Sequence, residues 1–302
     1  MPIHDQSYRR YRGGKATPGH AWLVIASAGI RTMLRKRAFL GVLLFAWGPF
    51  IVRAVQIYVT TNYRQVAAAF GVNAQTFRDF LAQQDFFVFI VTIYVGAGLI
   101  ANDRRANALQ IYLSKPLMRT EYIVGKAAVL FSFLLLVTWV PAMLLLFLQV
   151  VLQGSFEFVR TNLFLFPAIT VASFLQALLA TFTMLALSSL SKSSRYVGIL
   201  YAGIIFFTAA VYGALYAITG DSSLSWLSVG QSQTQVIDVI FRLTPRYATP
   251  WQVSLIVVLG LIALSFSVLE RRVRGVEVVT CPLRSPLLRL RPRSRNLLAR
   301  RS

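Results

Sequence analysis

Six runs of mainly apolar residues divide the chain into long stretches with almost no charge, at residues 38–58, 86–101, 127–152, 163–190, 196–218 and 251–269. A helix needs roughly 20 such residues to cross the hydrocarbon of a bilayer, so the pattern predicts six transmembrane helices. The second run is short and is expected to begin near Gln84. The first carries Pro49 and, near its outer end, Arg53, whose side chain can reach the headgroups. Ahead of it, residues 19–37 read as a helix lying on the membrane surface. At 100° per residue Trp22, Ile25, Ala26, Ile30 and Met33 share one face, with Arg31 and Arg35 opposite. The expected fold is an all-α integral membrane protein with six transmembrane helices, an N-terminal interfacial helix, and short external re-entrant or interfacial helices.

Composition agrees with this. Apolar residues make up 56% of the 302, above the 45–50% usual for soluble domains. The net charge of +21 would suggest nucleic acid in a soluble protein. Its placement gives another account, because 25 of the 31 Lys and Arg residues fall in segments 1–37, 103–126, 191–195 and 270–302. Acidic residues split evenly between these segments and the rest, so the bias belongs to Lys and Arg. Basic residues collect on the cytoplasmic side of membrane proteins, which predicts both termini in the cytoplasm of a multi-pass protein of the cell (inner) membrane. The N-terminus imitates a signal peptide, with Arg9, Arg10 and Ala26-Ser27-Ala28, but the apolar run is too short and Arg31 and Arg35 follow at once.

Several chemistries lack their residues. The single cysteine, Cys281, cannot form a disulfide framework or a cysteine metal site, and His4 and His20 alone cannot build an interior one. Gly13-Gly14-Lys15-Ala16 and Gly125-Lys126-Ala127 both miss the glycine spacing and the Ser/Thr of a phosphate-binding loop. No catalytic motif stands out, so the chain is expected not to be an enzyme and to bind no cofactor. The spans as drawn hold essentially no acidic residue, which argues against proton or sodium coupling.

The loop over residues 103–126 has a pattern of its own. Leu109, Tyr112 and Leu113 share a helical face, and Pro116 ends that piece. Arg119, Glu121 and Lys126 lead into the next span. Such an element presents an apolar and basic knob to a soluble partner beneath the membrane. The string Asp103, Leu109, Leu113-Ser114, Pro116-Leu117, Arg119 and Gly125-Lys126 resembles that between the second and third spans of permease subunits of type-2 ATP-binding-cassette exporters. That family commonly has Glu where Asp103 stands and Gly-Thr where Asn107-Ala108 stand. The resemblance covers about residues 19–270 and includes the six-span layout, the surface helix and the long external segment before the last span.

It implies that this loop is a coupling helix docking on an ATP-binding-cassette ATPase subunit through Asp103, Leu109, Tyr112, Leu113, Pro116 and Arg119. It also implies that ATP and Mg bind the partner subunit, and that two permeases, as a homodimer or with a paralogue, enclose the path of an exporter working by alternating access. A stand-alone transporter or a membrane scaffold without an ATPase is the other reading.

In the fifth span, Tyr201, Thr208, Tyr212 and Tyr216 fall within about 80° of each other. The first three are a candidate substrate path, the alternative being ordinary packing with Tyr216 as an interfacial anchor. External segments with Phe77, Phe80 and Leu81, and with Val236, Ile237, Ile240 and Phe241, read as amphipathic helices, the second resting in the outer leaflet. Three regions result: a basic segment over 1–18, the permease domain over 19–270, and a tail over 271–302 with ten Arg, one Glu and three Pro. Proline and charge disfavour a fold in the tail. Anionic lipid is its expected partner in preference to nucleic acid.

Overall fold

The computed structural model describes residues 21–63, 71–108, 119–153 and 163–273. All regular structure among these residues is helical, and six helical segments are long and apolar enough to cross a membrane. Helix α1 covers Ala21–Leu34. Span 1 is two helices, α2 (Arg37–Ala46) and α3 (Gly48–Asn62), broken at Trp47 just ahead of Pro49, whose ring cannot continue the ladder of α2. Span 2 runs from α4 (Ala74–Val91) through a π-turn at Thr92–Gly96 into α5 (Ala97–Arg105). Span 3 is α6 (Arg119–Val137) and α7 (Trp139–Gln153), interrupted at Thr138 where Pro141 meets the preceding turn. Span 4 is α8 (Leu165–Leu190) and span 5 is α9 (Ser194–Thr219). A 3-10 turn (Ser222–Leu227) and α10 (Val229–Ile240) then lead to span 6, α11 (Trp251–Arg272).

Spans 2, 3 and 4 form the centre. Their buried residues make up most of two apolar clusters, one around Val91, Leu130, Leu134 and Met184, the other around Phe77, Phe80, Leu145 and Ile169. Spans 1, 5 and 6 leave side chains such as Leu44, Phe45, Phe207 and Ile256 exposed, as lipid-facing helices do. The π-turn in span 2 is held by span 4. It displaces backbone groups from the helical ladder, and Ser188 inserts its hydroxyl there, donating to Ala97 O at 2.9 Å and accepting from the Ile100 and Ala101 amides at 3.2 and 3.0 Å. Gly96 makes this close approach feasible, since a Cβ on it would lie 2.5 Å from Met184 Cγ.

Helix α1 carries the expected face, but that face meets protein. Ala26 is buried, Trp22, Ile25, Ile30 and Met33 are half-buried, and α1 crosses α6 where a Cβ on Gly125 would lie 2.9 Å from Ile25 Cβ. Gly125 of the loop string thus serves as a seat for the N-terminal helix.

One expectation is corrected. Span 2 begins at Ala74 and not near Gln84, started by a capping box in which Asn73 Oδ1 accepts from the Thr76 amide at 3.2 Å and Thr76 Oγ1 accepts from the Asn73 amide at 3.3 Å. Phe77, Phe80 and Leu81 therefore belong to a long helix and are buried in the second cluster. Helix α10 packs on the bundle, with Val236, Ile237 and Asp238 all buried.

Candidate functional site

Two places bring chemistry-bearing side chains together, one at each end of the bundle. At the basic end, Asp103 in the last turn of span 2 accepts from Tyr122 Oη and from Lys126 Nζ, both at 2.7 Å. Tyr122 and Lys126 are four residues apart, hence on one face of α6. The Lys126 ammonium also lies 5.6 Å from the Tyr122 ring centroid. One residue further on, Arg104 Nη1 donates to Ser189 O at the end of span 4. Span 2 ends in a turn through Asn107, at φ 52°, a left-handed conformation that asparagine tolerates. Both ends of the intervening loop are thereby tied to the rigid spans. Arg119, exposed, opens α6. Leu109, Tyr112, Leu113 and Pro116 lie outside the described residues.

At the far end Arg78 and Asp238 are each almost fully buried, 2% and 1% exposed. Arg78 Nε donates to Asp238 Oδ1 at 2.5 Å and Nη1 to Asp79 Oδ1 at 3.0 Å, while Arg246 Nη2 donates to Asp79 Oδ1 at 3.1 Å. Burial pushes the Asp238 carboxyl above its usual range, and the Arg78 guanidinium opposes that shift. This network joins α10 to span 2. The loop after α10 is fastened by Gln235, whose Nε2 donates to the carbonyls of Tyr247 at 3.1 Å and Thr249 at 2.8 Å.

Beneath α10, spans 2, 4, 5 and 6 enclose a cavity of about 440 Å³, within the size range of small-molecule sites. Its head is polar. Asp85 Oδ1 accepts from Gln176 Nε2 of span 4 at 2.5 Å and from Gln233 Nε2 of α10 at 3.0 Å. Its lower walls are apolar, formed by Leu179, Leu187 and Leu190 of span 4 and Leu261, Leu264 and Val268 of span 6. Tyr201 borders this cavity and stacks on Phe89, ring centroids 5.9 Å apart. Thr208 and Tyr212 do not border it. The Thr208 hydroxyl donates to Ile204 O of its own helix at 2.9 Å. Tyr212 is buried between Tyr216 and Tyr247, at 6.0 and 5.9 Å. The periodic stripe is thus divided between two surroundings.

Asp85 overturns the expectation that the spans are free of acid. The expected start near Gln84 puts Asp85 at the very edge of span 2, whereas the helix from Ala74 places it well inside, its carboxyl held by two side-chain amides from distant elements. The argument against ion coupling does not hold at that level. Among the described residues no three His, Cys, Asp or Glu side chains gather as a metal site would need.

Comparison with curated proteins yields no match. Residues 23–273, which include all six spans and both of these places, match the family described as ABC-2 family transporter protein. A six-span, multi-pass helical bundle with a loop clamped at both ends, matched along most of its length, is a membrane subunit of an ABC transporter and not itself the ATPase; the chain belongs to the ABC-2 family of transporter proteins.

Proposed function

We propose that this chain is the membrane-spanning subunit of an ATP-driven exporter, powered by a separate ATPase subunit that binds ATP and Mg. The observation that carries this reading is the clamp on Asp103. A partner pressing on a floppy loop would only bend it. Here the helix entering the loop and the helix leaving it are joined through Asp103, Tyr122 and Lys126, and Arg104 links the same point to span 4. Force applied over residues 103–119 therefore reaches three spans of the central bundle at once. Two copies, or this chain and a paralogue, would enclose the path, and closure of the two ATPase subunits would tilt the spans between inward-open and outward-open states. The tail over 271–302 lies along anionic lipid and takes no part in transport.

Docking is tested with the double variant Leu113→Ala/Arg119→Glu, compared with the parent chain for recovery of the phosphate-loop ATPase that co-purifies with the parent in mild detergent. ATPase recovery is expected to fall at least tenfold while the chain still inserts; undiminished recovery and stimulated hydrolysis would defeat the proposal.

The orientation has its own test, on a chain in which Cys281 is first replaced by Ser. Cysteines at the exposed positions Gln75 and Ser223 should react with an impermeant thiol reagent applied to intact cells. Those at Asn107 and Lys192 should react only after the cells are opened. Reaction of Asn107→Cys from outside reverses the orientation.

A further inference from the structure

We infer that the cavity beneath α10 is a binding site for an amphiphile with a protonated amine head and an apolar tail, the head held between Asp85 and Gln176. As a substrate class this deepens the transport role proposed above and rests on it.

The argument begins with charge. The far-end network is internally balanced, two guanidinium groups (Arg78 and Arg246) against two carboxylates (Asp79 and Asp238). Asp85 stands below that network and makes its hydrogen bonds with two neutral amides only. An acidic group inside a span with no cation in direct contact among the described residues is costly, and such residues mark ligand or ion pathways. The unused hydrogen-bonding capacity points the same way. Both amide donors converge on Oδ1, so Oδ2 remains an acceptor without a partner among the described residues. Gln176 is 1% exposed and its Oε1 is buried without a partner. Its orientation follows from chemistry: a carboxylate accepts only, so Gln176 must turn its NH₂ to Asp85 and its carbonyl away. An anionic acceptor on the cavity wall asks for a ligand that brings N–H donors and positive charge. An ammonium has both; an alcohol lacks the charge, and a carboxylate or phosphate is repelled.

The rest of the ligand is set by the walls. From Gln176 to Leu190 the cavity follows span 4 for 14 residues, roughly 21 Å of helix rise. Over that distance Leu179, Leu187, Leu190, Leu264 and Val268 supply apolar surface. Thr183, which also faces the cavity, spends its hydroxyl on Leu179 O of its own helix at 2.6 Å. A single polar end above a long apolar slot fits an amphiphile, with Tyr201 and Phe89 flanking the junction of head and tail.

The test uses the full chain in phosphatidylcholine nanodiscs without an ATPase. The probe is a long-chain primary alkylamine bearing a photoreactive diazirine in its tail, and cross-linked peptides are located by mass spectrometry. Labels are expected on spans 4 and 6 within residues 179–190 and 261–268. Excess dodecylamine should suppress them at least tenfold more effectively than dodecanol or dodecanoate. Asp85→Asn, which keeps an acceptor for the two glutamines and removes the charge, should cut labelling at least tenfold. Thr183→Phe, which narrows the slot and leaves Asp85 in place, should do the same. Equal competition by the three compounds, labels outside these segments, or labelling indifferent to both variants overturns the inference. ATPase co-purification is measured separately, on the same variants expressed together with the ATPase. Absent amine labelling with the ATPase retained defeats this inference alone, and specific labelling with no ATPase recovered defeats the docking proposal alone.

Discussion

Replacing Arg78 by Met is expected to lower the stability of the folded chain by about 3–5 kcal/mol, the range found when one member of a buried ion pair is removed. Arg78 and Asp238 are 2% and 1% exposed, so neither gains from water when its partner leaves. After the change Asp238 keeps only the Arg246 guanidinium, 3.8 Å from Oδ2 and half exposed itself. The loss falls on the joint between α10 and span 2, which also roofs the cavity through Gln233. Thermal unfolding in detergent, followed by intrinsic fluorescence, measures the effect. Adding Asp238→Asn should restore at least half of the deficit, because the penalty belongs to the stranded charge and not to lost packing. The pH dependence has a definite sign. Burial already holds the Asp238 carboxyl above its ordinary range, and without Arg78 that shift grows. A folded-state acid with a raised pKa takes up protons before the unfolded one does, so the deficit of the single variant shrinks as pH falls through that raised value. A deficit under 1 kcal/mol, or one unchanged by acid, contradicts the assignment.

The sequence shows what depends on local pattern. Six spans and the N-terminal helix with Trp22, Ile25, Ala26, Ile30 and Met33 on one face follow from periodicity, and the structure contains them; the break ahead of Pro49 has its local cause in the proline ring. What the pattern hides depends on partners far along the chain. Arg78 and Asp79 look like external residues, and Asp85 like the edge of a span, because hydropathy scores each side chain as though it faced water or lipid. Their acceptability inside a helix comes from Asp238, Gln176 and Gln233, which lie 90 or more residues away. The apolar positions of α10 are legible from periodicity, while its attachment to span 2 depends on Arg78, which is distant in sequence from Asp238. One local signal did exist for the early start of span 2. Asn73 and Thr76 have the spacing of a cap, with Thr where Glu or Gln is usual. At the basic end, Asp103, Gly125 and Lys126 stood out only as matches to a family string. The structure supplies physical roles for each: an acceptor, a seat for α1, and a cation paired with Asp103.

The clamp gives the second large expected effect. Asp103→Ala should disconnect the ATPase from the spans without releasing it, because in the arrangement proposed above Leu113 and Arg119 meet the partner while Asp103 turns to Tyr122 and Lys126. Asp103 accepts two bonds from α6, one from an ammonium, and hydrogen bonds to charged groups contribute about 1.5–3 kcal/mol each. Both partners of the ion pair are largely shielded, 15% and 19% exposed, so the pair keeps more of its strength than a surface bridge. Losing about 1.4 kcal/mol of coupling changes an equilibrium tenfold, so the response of the spans to nucleotide should weaken at least that much. The readout needs no knowledge of the substrate. In a chain with Cys281→Ser, a cysteine at Thr183 faces the cavity, and its reaction rate with a thiol reagent should change on adding ATP and vanadate to the assembled complex. With Asp103→Ala that change should shrink at least tenfold while ATPase recovery is unaltered. Tyr122→Phe, which deletes one bond and keeps the Lys126 pair, should give an intermediate result. Asp103→Glu retains the charge that faces Lys126, so it should stay close to the parent. A full nucleotide response in the Asp103→Ala complex would show that force reaches the spans by another route, and loss of the ATPase in that variant would show that Asp103 belongs to the docking surface itself.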